Sequence, residues 1–271
     1  MSSQKSGSAN GSVWNFKNKS VWIVGAAGGI GRAVADNFQQ LGARVIGFDR
    51  DFEHFDVPYV IRQLNIADPY LVAATVRELL QDNLGPEVLV NAAGTLHLGS
   101  IDSQTENCLT IDDWHRCLDT NVSGVFYLLR NLATHFKQQR SGAIVNIASN
   151  AARVPRKNMA AYCASKAALQ SLSHCIALEL AEYNVRCNLV SPGSTDTPML
   201  QTMLTDVNGD TSAGYLRTIE GLPEDYKLGI PLKKIATSQE IANAILFLAS
   251  DAASHITMQN IVVDGGATLA A

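Results

Sequence analysis

The sequence predicts an α/β fold: one doubly wound domain, with a parallel sheet of about seven strands and helices on both faces. Three observations predict it. Short apolar runs alternate with helical stretches along the chain. The runs read as fully buried strands, the kind that helices cover on both sides. No linker interrupts them, and single α/β domains reach the 271 residues present here.

The elements follow in order. Val21–Val24 is an apolar run ending in glycines, and Ile30–Leu41 then puts Ile30, Val34, Phe38 and Leu41 on one helical face. Ala43–Phe48 is the next strand and Tyr59–Arg62 a weaker third. Asp68 and Pro69 start a helix to about Leu84, with Pro69 at a favourable first-turn position. Val88–Val90 is a buried strand, and two helices follow, about Ile111–Asp119 and Val122–Gln139. Ala143–Ala148 is a strand, Met159–Tyr183 a helix, and Val185–Val190 a strand ending at Ser191-Pro192-Gly193. Met199–Lys234 has few strong patterns and leaves the sixth strand where ligands sit in such sheets, so residues 199–234 are placed to be a substrate lid or a plain surface insertion. Ser238–Ser250 is a helix and Ile261–Val263 the last strand.

Composition narrows the function. Hydrophobic residues make up 46% and charged residues 17%, which excludes a disordered chain. The net charge of −4 and the lack of a basic stripe argue against nucleic acid as a partner. The five cysteines are widely spaced and read as reduced thiols of a cytoplasmic protein; with the scattered histidines they build no metal motif. No apolar run is long enough to span a membrane. Residues 1–13 lack the apolar stretch of a secretory signal and read as a disordered Ser/Gly-rich tail, which leaves 14–271 as the folded domain.

The glycine run Gly25-Ala26-Ala27-Gly28-Gly29-Ile30-Gly31 lies between the first strand and its helix. Glycines there let the backbone turn sharply and approach a pyrophosphate, which the helix N-terminus then faces. A Gly-rich run alone also suits an ordinary tight turn. Asp49, 20 residues beyond Gly29, adds an acid at the end of the next strand. Its carboxylate would accept the adenosine ribose hydroxyls and repel a 2′-phosphate, which favours NAD over NADP. Arg50 beside it is the one feature that would tolerate the phosphate.

Tyr162 and Lys166 stand four apart near a helix start and so share a face. A free tyrosine titrates near pH ~10, and an ammonium beside it favours the phenolate, which makes a base for a hydroxyl proton. Two amphipathic side chains on a helix surface would leave the same pattern. Ser149, 13 residues earlier at a strand end, could hold a substrate oxygen, and Asn121 could order a water linking Lys166 to solvent or serve only as a helix cap. Asn91-Ala92-Ala93-Gly94 ends the fourth strand and would flank the adenine side of a cofactor.

Together, Gly25-x-x-x-Gly29-Ile30-Gly31, Asn91-Ala92-Ala93-Gly94, Asn121, Ser149, Tyr162-x-x-x-Lys166 and Pro192-Gly193 resemble the short-chain dehydrogenase/reductase family, in order from about residue 17 to the end. The resemblance implies a Rossmann-type domain, a nicotinamide cofactor and an Asn-Ser-Tyr-Lys tetrad. It implies Tyr162 as acid/base and Lys166 as the group that lowers its pKa and binds the nicotinamide ribose. Ser149 would orient the substrate oxygen and Asn121 maintain a proton relay. Pro192, Gly193, Thr195 and Thr197 would border the nicotinamide amide. Two positions depart from the pattern. Val24 replaces a threonine before the first glycine, and Asn65, preceding Ile66, replaces an aspartate beside the adenine; an asparagine carbonyl still accepts a hydrogen bond there.

Arg153, Arg156 and Lys157 crowd the segment before Tyr162 in an otherwise acidic chain. A guanidinium fork matches a carboxylate, so an anionic substrate with Arg156 as its ligand is one reading and a solvated basic turn the other. A narrower resemblance, carried by 191–197, 226–232, Gly42–Asp49, Pro155-Arg156 and the run from Gln239 through Gly266, is to dehydrogenases of catechol siderophore biosynthesis. It implies a small anionic cyclic diol as substrate. Tyr162 would take the C3 hydroxyl proton as NAD accepts hydride from C3, and the ketone would tautomerise to a catechol acid. His97 would border the ring or act only in its loop, and Cys163 is read as packing.

The alternatives are another short-chain enzyme, such as an oxoacyl-carrier-protein reductase or a sugar-alcohol or steroid dehydrogenase, and a non-catalytic nucleotide-sensing scaffold. Asp49 and the net charge of −4 count against the oxoacyl-carrier-protein reductase, and an intact tetrad against the scaffold; the sugar-alcohol or steroid dehydrogenase stays open. Helices 122–139 and 159–183 are apolar on more than one face, which, with the family resemblance, implies a homotetramer. Transient contact with neighbouring enzymes of the siderophore pathway is a further expectation that no linear motif tests.

Overall fold

The computed structural model describes residues 14–51, 57–205 and 209–270. The expected tail, residues 1–13, lies outside the described residues. Seven strands form one parallel sheet: β1 (Ser20–Val24), β2 (Arg44–Asp49), β3 (Val60–Gln63), β4 (Val88–Asn91), β5 (Gly142–Ile147), β6 (Val185–Pro192) and β9 (Asn260–Val263). Their order is β3-β2-β1-β4-β5-β6-β9. The order reverses between β1 and β4, and a crevice opens there beyond the carboxyl ends of the strands.

Alternation within each strand explains the two layers of helix. In β1, Val21 and Ile23 face one side and Trp22 and Val24 the other, and all four are buried. The first side packs on α1 (Gly29–Gln40) and α8 (Ser238–Ala249) through Val34, Phe38, Ile241 and Ile245. The second packs on α2 (Pro69–Gln81), α4 (Gly124–Gln139) and α5 (Ala160–Ala181) through Val76, Leu128, Leu132 and Leu169. A buried polar chain crosses the middle: Asn91 Nδ2 donates to Asn146 Oδ1 at 2.7 Å, and Asn146 Nδ2 to Ser173 Oγ at 2.8 Å. Inside a dry sheet such bonds tie β4, β5 and α5 into one register.

Three expectations need correction. The α2 helix stops at Gln81 rather than near Leu84, because Asn83 takes a left-handed backbone (φ 58°). The two helices expected at 111–119 and 122–139 form one continuous run, α3 (Ile111–Leu118) joined to α4 by a π-turn at Asp119–Ser123. The weakly patterned segment after β6 holds two helices, α6 (Pro198–Leu204) and α7 (Ser212–Glu220), and a 3₁₀ turn at Pro223–Asp225. Short helices of this kind are set by local caps more than by periodicity; Thr197 caps α6 through its hydroxyl, with Pro198 at the first position. The excursion leaves and returns through a two-residue parallel clasp, β7 (Thr195–Asp196) against β8 (Ala236–Thr237).

Candidate active site

The glycine run forms the floor of the crevice on the β1 side. Gly25 has φ 84°, and a Cβ there would lie 2.5 Å from the Ala93 nitrogen. A Cβ on Gly31 would lie 2.0 Å from the Gly25 carbonyl oxygen, so only glycine lets α1 start this close to its turn. Gly28 leaves the N-terminus of α1 without a side-chain cap, and no acid occupies its first turn. An uncapped, glycine-lined helix start fits a pyrophosphate. Asp49, at the end of β2, fixes the turn from the other side: its Oδ2 accepts the Ala27 N–H at 2.9 Å. Arg50 beside it is exposed and pairs with Asp51 at 2.8 Å, so its charge is partly spent.

Ile30, Ala92, Gly94, Ser149, Arg156, Tyr162, Lys166, Pro192, Gly193, Thr195 and Thr197 line a single cleft of about 570 Å³. Other expected cofactor residues stand around it rather than in it. Asn65 is exposed and its Oδ1 accepts the Ala67 N–H at 3.1 Å, which leaves one lone pair for an adenine. Ile66 is buried against the start of α4, where a Cβ on Gly124 would meet its Cγ1 at 2.7 Å. Asn91 turns its side chain into the sheet instead of toward the crevice.

The tetrad converges from three elements. Tyr162 and Lys166 lie on the first two turns of α5, with Lys166 Nζ 5.8 Å from the centre of the Tyr162 ring. Lys166 is buried and donates to the Ile147 carbonyl oxygen at 2.8 Å; burial lowers its pKa to about 8. Tyr162 departs from the expectation: burial pushes the phenol above its ordinary value, and the hydrogen bond from Ser149, not Lys166, pulls it back. With Lys166 turned to Ile147, ring burial outweighs a charge at this distance. Ser149 lies two residues beyond β5 and its Oγ accepts the Ala151 N–H at 3.1 Å, which fixes its hydroxyl at the cleft wall. Asn121 sits in the π-turn, fully buried, with Nδ2 donating to Ser165 Oγ at 2.9 Å. Gly94 passes between them: a Cβ there would lie 3.2 Å from Asn121 Oδ1 and 3.3 Å from Lys166 Nζ.

Several residues with roles here were not singled out from sequence. Asp264, following β9, accepts from Asn150 Nδ2 at 3.2 Å and from the Thr268 hydroxyl at 2.7 Å, and so braces the residue next to Ser149. The Asp-Gly-Gly at the last strand's end was its signal. Lys227 reaches the cleft from the excursion. Leu96, not His97, faces the cleft; His97 pairs with Asp113 at 3.0 Å and Thr95 Oγ1 at 3.2 Å, which is a loop role.

A family model described as enoyl-(acyl carrier protein) reductase matches residues 25–268. Its span takes in every feature of the site just described. The chain belongs to the short-chain dehydrogenase/reductase family. It is therefore an oxidoreductase of a family whose dehydrogenases use nicotinamide cofactors. It is 49% identical over 257 residues to the 2,3-dihydro-2,3-dihydroxybenzoate dehydrogenase of Escherichia coli (strain K12), covering 95% of this chain and 100% of that one. The protein of the same name from Bacillus subtilis (strain 168) is 42% identical, covering 94% and 97%. The vibriobactin-specific enzyme of that name from Vibrio cholerae is 38% identical, covering 93% and 97%. Among solved structures, ligand-free aldohexose dehydrogenase of Thermoplasma acidophilum superposes with a TM-score of 0.85 at 31% identity, covering 94% and 96%. A 4-hydroxyisoleucine dehydrogenase complexed with NADH gives 0.77 at 29% identity, covering 93% and 99%.

Proposed function

We propose that this protein oxidises 2,3-dihydro-2,3-dihydroxybenzoate to 2,3-dihydroxybenzoate with NAD⁺, as a step of catechol siderophore biosynthesis. The observation that carries the reading is Arg156. It is a half-buried guanidinium on the wall of the cleft that also holds Ser149, Tyr162 and Lys166, and no described residue forms an ion pair with it. A neutral substrate leaves that charge with only the field of Asp264, whose carboxylate is already bonded to Asn150 and Thr268; a carboxylate on the substrate answers it directly. The names borne by the relatives at 38–49% identity point to the same substrate.

Gly25, Gly31 and the start of α1 would hold the pyrophosphate, and Asp49 the adenosine ribose. Pro192, Gly193, Thr195 and Thr197 would border the nicotinamide, with Lys166 on its ribose. When bound, the oxidised nicotinamide accepts the hydride from the substrate carbinol carbon. Ser149 holds the C3 oxygen. Once its own proton has gone to solvent, Tyr162 takes the C3 hydroxyl proton at its phenolate oxygen, and the ketone left behind moves its C2 ring proton to the C3 oxygen to become the aromatic catechol acid. Aromatisation pulls the sequence forward, in keeping with an oxidising role.

Phe126 on α4 and Leu178 on α5 are 44% and 69% exposed, which suits a homotetramer built on those helices; a monomer mass by light scattering would sink it. The five cysteines carry no disulfide, which suits the cytoplasm. The test of function is NADH absorbance on mixing enzyme, NAD⁺ and the diol acid, with Tyr162→Phe as control. NADH and a fluorescent catechol acid, both lost in the control, are expected. Turnover of other alcohols but not of this diol would discard the substrate.

A further inference from the structure

The excursion between β7 and β8 brings a second cation to the cleft. Its last part is a closed hairpin. The Leu222 N–H donates to the Lys227 carbonyl at 2.9 Å, and the Lys227 N–H donates back to Leu222 at 3.0 Å. Gly221 and Gly229 press the hairpin arms together: their Cβ atoms would lie 2.5 Å from the Lys227 carbonyl oxygen and 2.6 Å from the Glu220 carbonyl oxygen. The Ile230 N–H, bonded to the Ile219 carbonyl at 2.8 Å, closes it further. Lys227 is thus held by backbone on both sides, and its side chain is half-buried at the cleft wall.

That side chain makes no hydrogen bond and no ion pair with any described residue. The nearby acids are engaged or exposed. Asp225 and Glu224 line the same cleft, but Asp225 pairs with Lys157 at 3.2 Å and Glu224 is exposed to water, while Asp264 is taken up by Asn150, Gly266 and Thr268. Arg217 also lines the cleft but is exposed, so water screens it. The cation nearest in effect is Arg156. Burial lowers the Lys227 pKa first, Arg156 lowers it further, and Asp225 opposes both. Two half-buried cations that line one cleft and repel each other are relieved when an anion joins them.

We propose that Lys227 is a second carboxylate-binding residue, converging with Arg156 on the acid group of the substrate and so setting specificity for anionic diols. The assignment rests on the substrate reading above. A fork from Arg156 and a point charge from Lys227 would grip one carboxylate from two sides. The ring would then be oriented from the excursion as well as from the Ser149–Tyr162 segment.

The test is calorimetric titration of NADH-saturated enzyme with 2,3-dihydroxybenzoate and with catechol, which lacks the carboxylate. Lys227→Gln is expected to weaken 2,3-dihydroxybenzoate about tenfold or more, a loss on the order of a hydrogen bond to a charged group. Catechol and NADH affinities should hold, and Lys227→Arg should restore much of the loss. The KM for the diol acid should rise more than kcat falls. The Lys227→Gln melting temperature should not drop, since the side chain has no protein partner to lose. Affinity for 2,3-dihydroxybenzoate within twofold of wild type overturns the assignment, as does an equal loss for catechol. If the wild type ignores 2,3-dihydroxybenzoate yet binds benzoate in a Lys227-dependent way, the anion site stands and the substrate falls. If it binds neither acid, both fall.

Discussion

Asn121 holds Thr95 by both of its backbone groups: Oδ1 accepts the Thr95 N–H at 2.8 Å, and Nδ2 donates to the Thr95 carbonyl at 3.0 Å. The π-turn makes this possible. One extra residue between α3 and α4 swings the amide inward to the loop that follows Gly94, where Ser165 of α5 takes another of its donors. The clamp therefore joins the β4 loop, the α3–α4 run and the catalytic helix.

Asn121→Ala removes three hydrogen bonds at a fully buried side chain, leaves the Thr95 amide unpaired and leaves its carbonyl only the weak donor of the Cys117 thiol. A loss of about 2–4 kcal/mol is expected by urea denaturation, with turnover abolished. Wild-type stability in this variant would mean that water replaces the clamp at no cost.

Lys166 is charged at neutral pH although burial lowers its pKa from 10.5 to about 8, so the unfolded chain holds its proton more tightly. Its contribution to stability therefore opposes folding below about pH 8 and disappears as pH rises past the unfolded value. Lys166→Met should be inactive yet more stable at pH 7 by about 1–3 kcal/mol, less what the bond to Ile147 supplied. The gap between variant and wild type should close by about pH 10. Denaturation curves at pH 7 and 10 check this; a gap that widens with pH contradicts it.

Gly31→Ala drives a methyl group into the Gly25 carbonyl. The turn must open, which costs about 1–3 kcal/mol of stability. NADH affinity, read by its fluorescence, should fall more than tenfold. Unchanged binding would show that the turn gives way without losing its cradle.

Asp49 is expected to set a preference for NAD. Asp49→Ser removes the carboxylate that would meet a 2′-phosphate, along with the acceptor for Ala27. The ratio of kcat/KM for NAD⁺ over NADP⁺ should drop at least tenfold. A ratio that does not move would transfer the discrimination to another residue.

Much of the site was legible because its chemistry is local in sequence. The glycine spacing, the i, i+4 pair Tyr162 and Lys166, and the strand-end positions of Ser149 and Asp49 all follow from element order. The outcome for Tyr162 was not legible. Spacing puts an ammonium beside the ring, but only the packed structure turns that ammonium to Ile147 and makes burial the larger effect. The π-turn was hidden for a similar reason: no pattern of apolar residues distinguishes an extra residue in a helix from a break between two.

By itself the sequence determined the doubly wound sheet, the glycine turn ahead of the first helix and the shared face of Tyr162 and Lys166, since each depends on periodicity or short spacing that the backbone converts directly into position; Asn121 and Ser149 joined them only through the family resemblance. Tertiary structure alone decided which charges are answered. Asp225 goes to Lys157 and Asp264 to Asn150, while Arg156 and Lys227, 71 positions apart, are left facing one cleft. Pairing between charges depends on distances through space, and those exist only once the hairpin at Leu222–Lys227 has closed over the sheet.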